Sequence, residues 1–192
     1  MSKSRLEAFS DGVLAIIITI MVLELKQPHD TSWEAIKPLI PVFVSYAISY
    51  TIIGIYWGNH HHLLHTVTKV GSGILWANLH LLFWLSLIPF ATAWMGESNF
   101  DTTHVVAYAC LQCLCGIAYF ILLRTIQATN PNNKTLTYAL QRQSRKGMLS
   151  ILVYFIIIPV SFWNTAVSVC LFVLVWIIWW IPDKNIEKAL KD

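Results

Sequence analysis

The chain has 192 residues, of which 56% are hydrophobic and only 12% are charged, and its mean hydropathy is +0.60. This composition offers too little polar surface to cover a soluble globular domain, so it indicates an integral membrane protein. The formal net charge is only +3, which excludes the broad basic surface that a nucleic-acid-binding protein needs. We therefore expect a membrane protein that lies in the lipid bilayer and has no nucleic-acid partner.

Apolar stretches long enough to cross a bilayer recur along the whole chain. A hydrocarbon core about 30 Å thick needs about 20 helical residues, and a polar turn at residues 161–165 divides the last long apolar run into a hairpin. On this basis the sequence predicts six spans, at about residues 6–25, 38–60, 73–95, 103–124, 147–162 and 164–181. The predicted fold class is an all-α membrane protein, with residues 1–192 forming one six-span domain.

The first span is the most polar of the six, since Glu7 and Asp11 lie within it and Glu24 lies at its end. No small-residue cleavage site follows its apolar run, so we expect this segment to be retained and not removed as a signal peptide.

The positions of Lys and Arg predict which side of the membrane each loop faces, because these cations accumulate in short cytoplasmic loops. With six spans, one side receives all of the 13 Lys and Arg residues except Lys26 and Lys37. Both termini are therefore expected in the cytoplasm. The longest loop, at about residues 125–146, is also expected there and is too short for a catalytic domain, so we do not expect an enzyme.

Within the first span, polar and bulky apolar residues separate onto two faces of a helix. An ionisable residue in a span costs about 3 kcal/mol and usually faces water or a partner, so Asp11 needs a structural reason. At 100° per residue, Asp11 and Ile18 share one face, while Phe9, Ile16 and Ile20 lie on the other. Either the polar face lines a water path, or it grips neighbouring helices while the apolar face looks elsewhere. Periodicity alone leaves both possibilities open.

Two segments carry a resemblance to a known family. Arg5, Phe9, Ser10 and Asp11 form the pattern R-x-x-x-F-S-D at the start of the first span, and the third span contains the run from Asn78 to Phe90, followed by Gly96-Glu97. In these motifs and in its number of spans, the chain resembles the single-repeat prokaryotic branch of the endolysosomal potassium channel family called transmembrane protein 175.

The resemblance implies that the apolar face of the first helix lines the pore, since members of this family are homotetramers with four copies of that helix around the axis. Ile16 would then form the narrowest ring and close the pore by excluding water, with the other pore-lining positions at Thr19, Ile20 and Leu23. The polar motif would instead hold the first helix against its neighbours. We expect this structural network to contain Arg5, Phe9, Ser10, Asp11, His61 and His80.

The function implied is a passive potassium channel in the cell membrane of a prokaryote. The sequence lacks a Thr-Val-Gly-Tyr-Gly filter, so the preference for potassium over sodium should be modest. Glu24 lies beyond the predicted pore lining on the non-cytoplasmic side, where its carboxylate would raise the local cation concentration at the pore mouth. We expect no cofactor, with potassium ions only as the permeant species.

Two other interpretations compete with the channel. His61 and His65 have the i, i+4 spacing of paired zinc ligands on a helix, but no further ligand pair follows them, so no metal site is predicted. Asp11 and the membrane histidines could instead relay protons, which would make the protein a proton-coupled secondary transporter. No inverted repeat supports that alternative.

Overall fold

The computed structural model describes residues 1–28, 31–129 and 134–180, and these residues contain helices and no strand. The α-helices are α1 (Lys3–Leu23), α2 (Ile40–His65), α3 (Ser72–Ser86), α4 (Ile88–Glu97), α5 (Thr102–Thr129), α6 (Lys134–Trp163) and α7 (Thr165–Trp180). A short 3-10 helix, Trp33–Leu39, leads into α2. The predicted all-helical fold class is therefore confirmed.

Five helical segments are long and apolar enough to cross a membrane, namely Lys3–Leu23, Trp33–His65, Ser72–Glu97, Thr102–Thr129 and Leu140–Trp163. The sixth, Thr165–Trp179, is apolar but shorter. The protein is thus a multi-pass membrane protein. The third segment is divided at Leu87 into α3 and α4, because Pro89 in the first turn of α4 lacks the N–H that would continue the backbone ladder.

The prediction of a loop at about residues 125–146 is wrong for most of its length. Helix α5 continues to Thr129 and α6 begins at Lys134, while residues 130–133 lie outside the described part of the chain. The extension is stabilised by tertiary contacts: Leu140 and Gln143 are buried, and the Gln143 amide donates to Asn59 Oδ1 at 3.2 Å and to the Tyr119 hydroxyl at 2.7 Å.

Helix α1 packs against α2, α3 and α4, while α5 and α6 pack on each other, with α3 beside α5 and α7 beside α6. The Lys3 ammonium donates to the carbonyl of His65 at 2.8 Å, so the start of α1 lies beside the end of α2. Lys3 and Lys69, in the loop that follows α2, therefore share one end of the molecule, in agreement with the charge distribution. The C-terminal residues 181–192 are outside the described part, and their predicted cytoplasmic location stays a prediction.

Candidate ion path

Helix α1 has one face buried within its own subunit. The side chains on this face recur every three or four residues, as one face of an α-helix requires, and they are Leu6, Ser10, Leu14, Ile17 and Met21. Because α1 contacts α2, α3 and α4, these side chains attach it to the rest of the subunit.

The opposite face of α1 is exposed in the single subunit, although it is largely apolar. We call this face the exposed stripe; its residues are Phe9, Gly12, Ile16, Thr19, Ile20 and Leu23. Ile16 is 58% exposed and Leu23 is 79% exposed. Spacings of three and four alternate from Phe9 to Leu23, which is the pattern of helices that associate around a common axis. All four residues expected to line a pore lie on this stripe.

The polar side of α1 is attached to two other helices through one buried cluster. Ser10 Oγ donates to the Leu6 carbonyl at 2.9 Å and accepts from Asn78 Nδ2 at 3.0 Å. The Asn78 carbonyl oxygen pairs with His60 Nε2 at 2.6 Å, so the imidazole is the donor. None of Ser10, Asn78 and His60 is more than 1% exposed. The Ser10–Asn78–His60 cluster thus joins α1, α3 and α2 at a depth where an unpaired polar group would be costly.

Asp11 has a different partner and is more exposed to solvent than the cluster. Its Oδ1 accepts from Trp57 Nε1 at 3.0 Å, and the Trp57 side chain is half exposed. Near the start of the helix, Lys3 also lies 3.9 Å from the Glu7 carboxylate. Asp11 therefore adds a second, peripheral attachment between α1 and α2.

Within the described residues, neither of the two histidines expected in this network hydrogen-bonds a residue of α1. His61 follows His60 on α2 and so points about 100° away from it; its ring contacts those of Trp57 and His65 at centroid distances of 6.2 and 4.9 Å. His80 is exposed and accepts a hydrogen bond from Trp84 Nε1 at 2.9 Å. It lies two residues after Asn78, on the opposite side of α3.

Arg5 and Phe9 also differ from the other members of the motif. Arg5 is exposed, and its backbone N–H donates to the Ser2 hydroxyl that caps α1. Within the described residues its guanidinium has no hydrogen-bond or ion-pair partner. Phe9 is exposed on the stripe. Within the part of the chain that the structure describes, Ser10 and Asp11 are therefore the two of the six predicted network residues that make polar contacts between α1 and other helices.

At the other end of α1, Thr19 and Glu24 can present oxygen atoms to cations. The Thr19 hydroxyl donates its hydrogen to the Ile16 carbonyl at 2.8 Å. The oxygen lone pairs of this exposed side chain therefore remain available to accept a hydrogen bond or contact a cation. Glu24 is exposed beyond the end of the helix. Nearby, Lys26 pairs with Glu97 of α4; this hydrogen bond and ion pair raise the pKa of Lys26 above its usual value.

In the described part of the chain, no group of three or more His, Cys, Asp or Glu residues lies close enough together to hold a metal ion.

Sequence reasoning missed Asn78 as a site residue and named His61, whereas His60 is the histidine that bonds Asn78. Asn78 is the only Asn in the otherwise apolar α3, and a buried amide within a span is itself a sign of a polar partner. The histidine could not be chosen from sequence, because three consecutive residues on α2, His60 to His62, point in three different directions.

The chain is similar to several known channel proteins. Residues 5–89 match the family model described as endosomal/lysosomal potassium channel TMEM175. A potassium channel of Chryseobacterium sp. (strain P1-3) is 50% identical over 192 residues, which is the full length of both chains. The endosomal/lysosomal proton channel TMEM175 of Gallus gallus is 29% identical over 126 residues, covering 58% of this chain and 25% of that protein.

Similarity in fold extends to a solved structure. The crystal structure of a lysosomal potassium-selective channel TMEM175 homolog from Chamaesiphon minutus superposes with a TM-score of 0.79, covering 92% of this chain and 95% of that one. The sequence identity is 23%, so this likeness concerns the fold.

Proposed function

We propose that this chain, which belongs to the endosomal/lysosomal potassium channel family TMEM175, forms a potassium-selective channel through which ions move passively down their gradient. The protein would act in the cell membrane of a prokaryote as a homotetramer, with four copies of α1 around one axis. No cofactor is needed for such conduction, because the permeant ion is the only species handled. The proposed activity is ion conduction and not enzymatic catalysis.

The observation that carries this proposal is the exposed stripe of α1. One face of the helix is buried by its own subunit, whereas the other presents Ile16, Ile20 and Leu23 to the outside. A single helix cannot surround an ion path, so the pore requires several subunits. Four stripes facing one axis would form successive rings, with Ile16 at the narrowest and Thr19 adding a hydroxyl ring.

A ring of isoleucines would control conduction by excluding water, since hydrophobic constrictions gate by dewetting. The same ring provides no carbonyl cage, so selectivity between potassium and sodium should be modest. In this arrangement two sets of contacts position α1, namely the Ser10–Asn78–His60 cluster and the Asp11–Trp57 bond. They attach the polar side of α1 to α2 and α3, so that the exposed stripe would face the axis.

The test of the function is a measurement on purified protein in planar bilayers with unequal potassium and sodium solutions. We expect unitary currents and a reversal potential displaced toward that of potassium. A proton-coupled transporter using Asp11 and membrane histidines would instead give saturable, pH-coupled flux without unitary events. The Gallus gallus relative is named a proton channel, so a second recording with a pH gradient and equal potassium measures any proton current separately.

Replacing Thr19 with Val should reduce the preference for potassium over sodium. Val keeps the shape of the side chain but removes the oxygen lone pairs, and Thr19 is exposed, so the fold of the subunit should be unaffected. The measurement is the reversal potential under bi-ionic conditions, with Thr51→Val on α2 as the matched control. An unchanged reversal potential in Thr19→Val would remove the hydroxyl ring from the selectivity mechanism.

Replacing Glu24 with Gln should lower the single-channel conductance at low ionic strength and have little effect at high salt. Its carboxylate would concentrate cations at the pore mouth, and such attraction is screened when the Debye length falls to about 8 Å at 0.15 M salt. Conductance is compared at low and high potassium, with Glu34→Gln as the control. A decrease that is equal at all salt concentrations would contradict the electrostatic explanation.

A further inference from the structure

One cavity of the subunit has no residue of α1 in its wall. It has a volume of about 40 Å³, is partly enclosed by α2, α5, α6 and α7, and is mostly apolar. A groove of about 350 Å³ adjoins it along the surface of α2. The two spaces share Ile55, Asn59 and Trp179, so we treat them as one site and call it the α2–α7 cavity.

Glycines keep this cavity open. Gly54 and Gly58, one turn apart on α2, line the groove, and Gly147 of α6 lines the enclosed part. A Cβ added at any of the three would meet no atom within 4 Å. The walls are therefore not tightly packed against each other, and a larger residue at Gly147 would project into free space.

The cavity wall also presents one hydrogen-bonding group that the described residues do not satisfy. The Trp176 indole N–H at this wall is buried and has no acceptor among the described residues. An apolar cavity with a few convergent polar groups is typical of a ligand site, and the free indole N–H suits a ligand that carries acceptor oxygens.

The charge of the helices that form the cavity favours an anion. Residues 102–180, which include α5, α6 and α7, contain no Asp or Glu but five cationic residues: Arg124, Lys134, Arg142, Arg145 and Lys146. Arg145 and Lys146 directly precede Gly147, in the second turn of the membrane-spanning segment Leu140–Trp163. The charge distribution places this end of the segment toward the cytoplasm. Basic sites between membrane helices on this side are suited to anionic lipid headgroups.

We propose that the α2–α7 cavity binds one anionic phospholipid from the cytoplasmic leaflet. An acyl chain would lie along the groove with part of it filling the apolar cavity, and the phosphate would lie beside Arg145 and Lys146. The ester oxygens would then be the acceptors within reach of the Trp176 indole N–H. This site is independent of the proposed ion path, because it involves none of the residues of the exposed stripe.

The experiment is native mass spectrometry of the delipidated full-length protein, titrated with phosphatidylglycerol or phosphatidylcholine. We expect one phosphatidylglycerol per subunit, with at least fivefold weaker binding of phosphatidylcholine. Gly147→Leu should reduce phosphatidylglycerol binding at least fivefold, and the double variant Arg145→Gln, Lys146→Gln should abolish the preference for it. Leu149→Phe, on an exposed position of α6, and Lys37→Gln, on the other side, are the matched controls.

Equal binding of the two lipids, or unchanged phosphatidylglycerol binding in Gly147→Leu, would overturn the proposal. So would the finding that Gly54→Leu dissociates the assembly while lipid binding persists, since another copy of the chain would then cover the groove. Should Gly147→Leu fail to fold, as judged by circular dichroism, the surface charge variants still decide the outcome. No current is measured, so the result stands whether or not the channel function is correct.

Discussion

Replacing Ile16 with Asn should increase the single-channel potassium conductance by about tenfold. The proposed constriction opposes ions because a narrow apolar ring excludes water, and an amide at this position would hydrate it. Lowering the barrier by about 1.4 kcal/mol corresponds to a tenfold increase in rate. The Ile16 side chain is largely exposed in the subunit, so the substitution removes little of the packing that holds α1 in place.

The control for Ile16→Asn is Leu152→Asn on α6. Leu152 is 59% exposed, against 58% for Ile16, but it lies on a different helix and not on the stripe. Conductance should rise only in the Ile16 variant, as measured by single-channel recording in bilayers. Unchanged conductance in Ile16→Asn, or an equal rise in Leu152→Asn, would remove Ile16 from the constriction.

Replacing Asn78 with Leu should lower the free energy of unfolding by about 1–3 kcal/mol, which is the cost of leaving a buried polar group without its partner. The main loss is at His60, whose Nε2–H would lose its acceptor in a fully buried position. Ser10 would be affected less, because its hydroxyl still donates to the Leu6 carbonyl. The measurements are the thermal unfolding midpoint and the oligomeric state in detergent.

A double variant separates this mechanism from a simple packing error. When both partners of a buried hydrogen bond become apolar, the cost can nearly vanish, so His60→Phe combined with Asn78→Leu should recover part of the lost stability. Two additive losses would contradict the hydrogen-bond explanation. Asp11→Asn is the peripheral comparison: it keeps an acceptor for the half-exposed Trp57, and its effect on stability should be small.

Three kinds of information predicted the fold and the proposed pore. Composition and charge predicted the helices, periodicity predicted the two faces of α1, and the family resemblance predicted which face lines the pore. Composition and the spacing of charges predicted six membrane spans, and apolar helices lie at these positions in the structure. The bilayer imposes a length and a polarity that are visible in sequence. Periodicity separated Asp11 from Ile16 on α1, but it could not tell which face is buried. The family resemblance chose the apolar face as the exposed one, and in the structure Ile16 is exposed while Ser10 is buried.

The sequence by itself therefore determined the multi-pass helical architecture and the segregation of polar from apolar residues on α1, since both depend on local hydrophobicity. Only the tertiary structure decided which partners complete the network. His60 and not His61 reaches Asn78, and His80 faces away. The reason is that the rotation of each helix and its distance from its neighbour decide which of several adjacent residues makes the contact, and neither quantity can be read from the sequence. Helix α6 likewise extends to Lys134, where contacts of Gln143 with Asn59 and Tyr119 stabilise a polar segment that hydropathy assigns to a loop.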